Sequence, residues 1–223
     1  GTLLQAARVC GKDDGQPRTM EVHVTPKLVE ACDGYRFFRS SLKTGLEKAV
    51  LVPALSISLV GALVFDKASV SGGWLHLRRK DKQRVSLRCS AGEYPEEVNQ
   101  LLDMKGAQKV RLPGNLPEII SRAEVMQDSL DALVSIQISS GKLTLKAKKD
   151  TGWYEETRDI KYDGKDIGFD VNPAFLEDLL SKSRTVKVTD RRMKIESEDT
   201  VFVVVLDVGD KDEKSKSDSS DEE

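Results

Sequence analysis

From residue 132 to residue 145 apolar and polar side chains alternate. Val134, Ile136 and Ile138 share one face, Ser139-Ser140-Gly141-Lys142 interrupts, and Leu143 and Leu145 resume the alternation. A period of two on both sides of a turn predicts a hairpin with one buried face. A third strand is expected over 156–162, and KYDGKD turns the chain into a strand over 166–171. The period then changes. In NPAFLEDLLSKS (172–183) Leu176, Leu179 and Leu180 fall on one helical stripe, Asn172 suits the N-cap and Pro173 the first helical position. TVKVTD, RRMKIES and TVFVVVL follow as three further strands. The block from 107 to 126 has the same grammar: a strand-like QKVRL, then NLPEIISRAEVM, with Asn115 as cap and Leu116, Ile119, Ile120 and Ala123 along one face.

Residues 107–206 therefore read as strand, helix and three strands, then the same again, an internal repeat of about 50 residues. Residues 3–91 read similarly. LLQAARVC is helix-like; TMEVHV, LVEAC and YRFFRS are strands; KAVLVP is a strand leading into a helix, ALSISLVGALV, where Leu55, Leu59, Ala62 and Leu63 share a face. WLHLRR and RVSLRCS then form a hairpin. The strand that the repeat places ahead of the first helix is missing from this stretch, and the chain opens on Gly1 rather than Met, so a fragment or processed product is expected. The expected organisation is α+β: a domain over 1–92, a charged linker over 93–106, a second domain over 107–206, and a low-complexity acidic segment over 207–223 that should not fold.

Composition narrows the function. The 223 residues are 39% hydrophobic and 32% charged. No apolar run approaches the roughly 20 residues that span a bilayer, and residues 1–10 do not read as a signal peptide, so a cytoplasmic protein with no membrane partner is expected. Cys10, Cys32 and Cys89 lack metal-ligand spacing and read as reduced, mostly buried thiols. With His23 and His76 as the only histidines, a His-based catalytic or metal site is nearly excluded. No phosphate loop, nucleophile elbow or zinc quartet is present; no catalytic residue, metal or cofactor is assigned, and an enzyme is not expected. The net charge of −2 conceals an asymmetry: residues 207–223 hold eight acids against three bases, which leaves about +3 on residues 1–206. A mildly basic body can approach a polyanion without holding it tightly.

Tandem pairs of βαβββ units resemble the sliding clamps of DNA replication, and local stretches resemble the bacterial β clamp, the DNA polymerase III β subunit. Asp33-Gly34-Tyr35-Arg36 is similar to that family's Thr-Asp-Gly-His/Tyr-Arg-Leu stretch in the middle domain, with Cys32 where threonine is usual and Phe37 where leucine is usual. VLVP (50–53) resembles the strand into the middle domain's second helix. GEYPE (92–96) resembles the Gly-Arg-Phe-Pro-Asp segment that leads into the third domain, and IGFDVNPAFLEDLL (167–180) that domain's Gly-Phe-Asn-Val-x-Tyr-Leu-x-x-x-Leu. VFVVVL (201–206) resembles the final strand. The resemblance covers nearly all of 3–206. It implies the DNA-clamp fold, with helices lining the inner face of a six-domain ring. Two copies would close the ring if a first domain is missing, three if the chain is complete.

The resemblance further implies duplex DNA as a sequence-independent partner, met by Arg8, Lys12, Arg18, Arg122, Lys182 and Arg184 on the inner wall. It implies a hydrophobic pocket that takes short linear motifs from polymerase, clamp loader and repair proteins. The matching positions are Gly34, Tyr35, Phe37, Pro95, Val203 and Val205, with Thr19 or Met20 as a further wall. Without the resemblance, Tyr35 and Phe37 read as one face of an ordinary buried strand. Val125 and Met126 match the family's subunit interface; they also read as core. Two departures stand out: Glu97, Val98, Asn99 and Gln100 replace the family's basic and apolar residues after the proline, and an acidic segment replaces its short C-terminus. A clamp-fold adaptor that binds peptides without encircling DNA is the alternative.

Overall fold

The computed structural model describes residues 1–11, 17–126 and 133–207. The acidic segment over 207–223 lies outside the described residues except for Asp207, and so does Lys12. The chain forms two compact units. The first comprises Gly1–Asp103 with Lys194–Val204, the second Met104–Met193 with the residues from Val205 onward. Among the described residues, no helix is long and apolar enough to cross a membrane.

The first unit contains α1 (Thr2–Val9), β1 (Glu21–Val24), β2 (Leu28–Cys32), β3 (Arg36–Ser41), β4 (Val50–Pro53), α2 (Ala54–Val60), β5 (Lys67–Ser71), β6 (Trp74–Arg78) and β7 (Arg84–Arg88). A 3₁₀ turn spans Pro17–Met20 and a longer 3₁₀ segment spans Glu96–Leu102. The second unit contains β8 (Gln108–Arg111), α3 (Leu116–Glu124), β9 (Val134–Ser139), β10 (Lys142–Lys149), β11 (Gly152–Asp159), β12 (Ile167–Val171), α4 (Pro173–Leu180) and β13 (Thr185–Val188). After these come β14 (Arg192–Glu196) and β15 (Thr200–Val205). The architecture is α+β with antiparallel pairing.

In the first unit the strands run in the order β4-β1-β2-β3-β15, each pair antiparallel. β5, β6 and β7 form a separate three-stranded sheet. In the second unit β11-β10-β9-β12 make a four-stranded sheet, and β13 pairs β8. The repeat is visible in these pairings. The strand that leads into each of α2, α3 and α4 crosses to pair with the first of the three strands belonging to the other helix: β4 with β1, β8 with β13, β12 with β9.

Local chemistry explains the elements of the second unit. Asn172 caps α4 by accepting from the Ala174 N–H at 2.9 Å, Pro173 opens the helix, and Leu176, Leu179 and Leu180 are buried. α3 buries Leu116, Ile119, Ile120 and Ala123, as its stripe predicts. Asn115 stands at its N-cap but makes no side-chain cap bond. The β9–β10 hairpin closes on Ser140 (φ 51) and Gly141 (φ 74), the two positive φ values of a type I′ turn. The third strand differs from expectation: β11 covers Gly152–Asp159, so it starts four residues earlier and takes in Trp153 and Tyr154.

α2 also differs. It ends at Val60, and Leu55 and Leu59 face solvent at 76% and 81% exposure while Ala54 and Ile57 face the core. The helix leaves β4 directly at Pro53, so the strand sets its phase, and α1 packs against it closely enough that a side chain at Gly61 would come within 2.9 Å of Leu4. A two-turn helix whose residues are nearly all apolar or small carries no internal signal of which face is buried.

Candidate functional site

The Asp33-Gly34 turn is built by one carboxylate. Asp33 Oδ1 accepts from the backbone N–H of Tyr35 at 2.9 Å and of Arg36 at 2.6 Å, and Oδ2 accepts from Arg36 Nε at 2.8 Å. Gly34 sits at φ +92, a left-handed value that a side chain would resist. The turn sends Tyr35 outward, at 64% exposure, and delivers Phe37 inward, fully buried.

Register then fixes what Phe37 meets. It lies opposite Cys32 on β2 and opposite Val203 on β15. This row is covered by Val98 of the Glu96–Leu102 segment, with Tyr94, Leu101, Leu102 and Val201 around it. Phe38 points to the other face and is also fully buried, so β3 is covered on both sides.

A polar chain runs beside the row. His23 Nδ1 and Glu30 Oε1 are 2.8 Å apart, and Arg39 pairs with Glu30 Oε2 at 2.6 Å. Arg39 Nη2 also donates to Asn99 Oδ1 at 2.7 Å, which ties β3 to the 3₁₀ segment. The His23 ring stacks on Tyr94 with centroids 4.6 Å apart. Burial pushes the Glu30 carboxyl up, but the His23 hydrogen bond and the Arg39 charge outweigh it and hold the group below the usual carboxylate range. Burial pushes the Cys10 thiol up to about 12 and raises Cys32 and Cys89 as well, so the three cysteines stay protonated near neutrality. A cavity of about 1060 Å³ opens here, lined by His23, Glu30, Val50, Tyr94, Pro95 and Asn99 among others.

Of the positions assigned to a peptide pocket, Phe37 and Val203 are brought together and Pro95 lies half-buried at the start of the covering segment. Gly34 and Tyr35 are exposed on the turn. Thr19 and Met20 are half-buried at the end of the first 3₁₀ turn, and Val205 is half-buried at the end of β15. Val98, Leu101 and Leu102 fall within the expected linker over 93–106. The cluster depends on them, and their i, i+3, i+4 spacing is the signal that marks them.

The assigned cations are placed differently from one another. Arg8 is exposed on α1. Arg18 stands in the first 3₁₀ turn. Arg122 on α3 makes a two-nitrogen contact with Glu156, its Nη2 at 2.7 Å from Oε2, and donates to Tyr154 Oη at 3.1 Å. Arg158 and Tyr154 also bind Glu156. Lys182 pairs with Asp178 one turn back at 3.5 Å, and Arg184 is exposed beside Gly114. At the end of α3, Val125 is 73% exposed and Met126 is half-buried.

No family model matches the chain, and no curated protein matches its sequence. Solved structures do. A DNA polymerase sliding clamp from Pseudomonas aeruginosa superposes with a TM-score of 0.78 at 18% identity, covering 92% of this chain and 63% of that one. The β subunit from DNA polymerase of Streptococcus pyogenes gives 0.78 at 19% identity over 92% and 62%, and a sliding clamp from Bacillus subtilis gives 0.77 at 16% over 92% and 60%. The chain spans about three-fifths of the length of these structures. At such identities the likeness establishes the fold, and the fold is that of the DNA sliding clamps.

Proposed function

We propose that this chain works as a sliding clamp: it contributes clamp units to a ring that encircles duplex DNA and tethers a polymerase, a clamp loader and repair proteins through short linear motifs. The observation that carries this reading is the Cys32–Phe37–Val203 row. A buried apolar cluster is assembled there from the strand after an Asp-Gly turn, the last strand and the segment after Pro95, the three stretches where the resemblance puts a motif pocket. The pocket takes Phe37 and Val203 as its floor and Tyr35 and Pro95 as its rim. The covering segment around Val98 is the wall that an incoming apolar anchor displaces or extends. Catalysis has no part in this function; retention is topological, which suits a body of only mildly positive charge.

Duplex DNA on this reading meets Arg8, Arg18, Lys182 and Arg184, with Val125 and Met126 at the contact between subunits. The division into a domain over 1–92, a linker over 93–106 and a second domain over 107–206 belongs to the same proposal, as does a cytoplasmic location. The test is retention after loading. A ring stays on circular DNA and slides off the linear form, and native mass gives the number of copies. Equal, salt-sensitive loss from both forms overturns encirclement.

The second reading, a clamp-fold adaptor that binds peptides without encircling DNA, draws support from two observations. Arg122 is already engaged by Glu156, and α2 presents Leu55 and Leu59 to solvent where an inner wall would present cations. Motif binding without DNA retention would select it.

A further inference from the structure

The three-stranded sheet of the first unit has a face that neither the core nor the proposed clamp function uses. Its inner side is apolar: Leu75, Leu77 and Leu87 are buried, and Leu3 of α1 shares a cavity of about 160 Å³ with Ala68, Leu75 and Leu77. The register of β5, β6 and β7 orders the opposite side into three rows. Lys67, Arg78 and Arg84 form the first, Ser69, His76 and Ser86 the second, Ser71, Trp74 and Arg88 the third.

The first row is three cations directly opposite one another on neighbouring strands about 4.8 Å apart. Like charges so placed destabilise a sheet. Among the described residues none of the three has an acidic partner. The adjoining β6–β7 loop adds Arg79, Lys80 and Lys82, against Asp81, which pairs with Arg79 at 3.5 Å; Asp66 is the one other acid next to the row in sequence.

The third row carries an aromatic ring with a cation laid over one of its faces. Trp74 is 40% exposed, and the Arg88 guanidinium lies 5.3 Å from its ring centroid. Arg88 Nη1 also donates to the Gly72 carbonyl at 3.2 Å, across a turn in which Gly72 and Gly73 take φ +57 and +78. A side chain at Gly73 would come within 3.2 Å of that same guanidinium. Between the rows, His76 is hydrogen-bonded at both ring nitrogens, Nε2 to Ser71 Oγ at 2.9 Å and Nδ1 to Ser86 Oγ at 2.8 Å.

We propose that this face binds single-stranded nucleic acid, with a base stacked on Trp74 and the phosphates held by the Lys67–Arg78–Arg84 row. Open antiparallel sheets that present an aromatic ring beside cations bind single strands in this way: unpaired bases stack on the ring and the charges follow the backbone. Trp74 and Arg78 lie about 13 Å apart along β6, a span that a short extended oligonucleotide bridges. A duplex keeps its bases stacked internally and has no use for the indole. An acidic peptide would use the cations and leave Trp74 idle. None of its residues is among those to which the clamp reading assigns duplex DNA.

The experiment is fluorescence anisotropy of a fluorescein-labelled oligothymidylate with the full chain, beside a hairpin duplex of equal length. The single strand is expected to bind the more tightly. Trp74→Ala is expected to weaken it about tenfold or more. Arg78→Gln with Arg84→Gln is expected to lower the slope of log affinity against log salt by about 1.4, two phosphate contacts' worth. In a Trp153→Phe background, oligothymidylate is expected to quench the remaining Trp74 fluorescence, which reads stacking without altering the site. Unchanged affinity in Trp74→Ala, preference for the duplex, or displacement by a peptide of residues 208–223 as effective as unlabelled oligothymidylate would each overturn the proposal.

Discussion

Phe37 and Val203 face each other across the β3–β15 pairing, with Cys32 on the far side of Phe37 and Val98 laid over the row. Residues from opposite ends of the chain thus make one apolar cluster, and its two central members are fully buried. Removing a ring from such a site leaves a cavity. Phe37→Ala is expected to cost about 3–5 kcal/mol in denaturant unfolding, the range for a buried phenylalanine. A loss below about 1 kcal/mol would mean that the row is looser than its burial implies.

Peptide binding is best separated from folding at Tyr35. Val203 is buried, so Val203→Ala disturbs the cluster and cannot report binding alone. Tyr35 is 64% exposed on the turn, and Tyr35→Ala is expected to leave the melting temperature unchanged while weakening a clamp-binding polymerase-tail peptide by about 1–3 kcal/mol. Anisotropy with that peptide checks it, and equal affinity would take Tyr35 out of the rim.

The His23–Glu30–Arg39 chain predicts an acid limb in stability. Glu30 has a folded pKa below the ordinary 4.5, so its contribution is fully present above that value and is lost as pH falls through the folded pKa. Glu30→Gln is expected to destabilise the protein near neutrality and to flatten the decline below about pH 4.5. Urea titrations from pH 3 to pH 7 measure both; an acid limb of unchanged steepness in the variant would assign it to other carboxylates.

The end of α3 tests assembly. Val125 is 73% exposed and Met126 half-buried, so charges there are tolerated by the fold and penalised in an interface. Val125→Glu with Met126→Glu is expected to leave the circular dichroism unchanged and to reduce the sedimenting species toward a single chain. An unaltered oligomer would exclude this surface as the contact.

The acidic segment carries net −5 by sequence and is tethered to a basic body. Cutting the chain after residue 207 is expected to raise nonspecific duplex affinity at low salt, because a tethered polyanion competes at an effective concentration that can reach about millimolar. The gain should vanish as salt screens the segment. Identical titrations of the two forms at low salt would leave it a solubilising tail.

Much of the second unit was legible because its signals are local. The α3 and α4 stripes, the Asn172 cap and the Ser140-Gly141 turn each depend on residues within a few positions of one another, where side-chain period and backbone conformation act directly. The repeat was legible for the same reason, since it is a succession of such units. The phase of α2 is not in its sequence, because in a short apolar helix the buried face is chosen by α1 and β4 rather than by the helix itself. Nor does β5 announce itself: KASVS has small, half-polar residues and becomes a strand by pairing with β6.

The remaining features needed the third dimension. Sequence marked Tyr35, Phe37 and Val203 as candidates through resemblance, but only register put Phe37 against Val203 and left Tyr35 outside. The resemblance assigns Arg122 to a DNA-facing wall, and only the fold shows that β11 brings Glu156 within hydrogen-bonding distance of it. Lys67, Arg78 and Arg84 look like scattered surface charge along the chain, and strand pairing stacks them into one row. Periodicity determines which side of its own element a residue occupies. What lies opposite it is set by long-range pairing and packing, and those decide whether an aromatic ring is buried or exposed, and whether a charge meets an opposite charge or a like one.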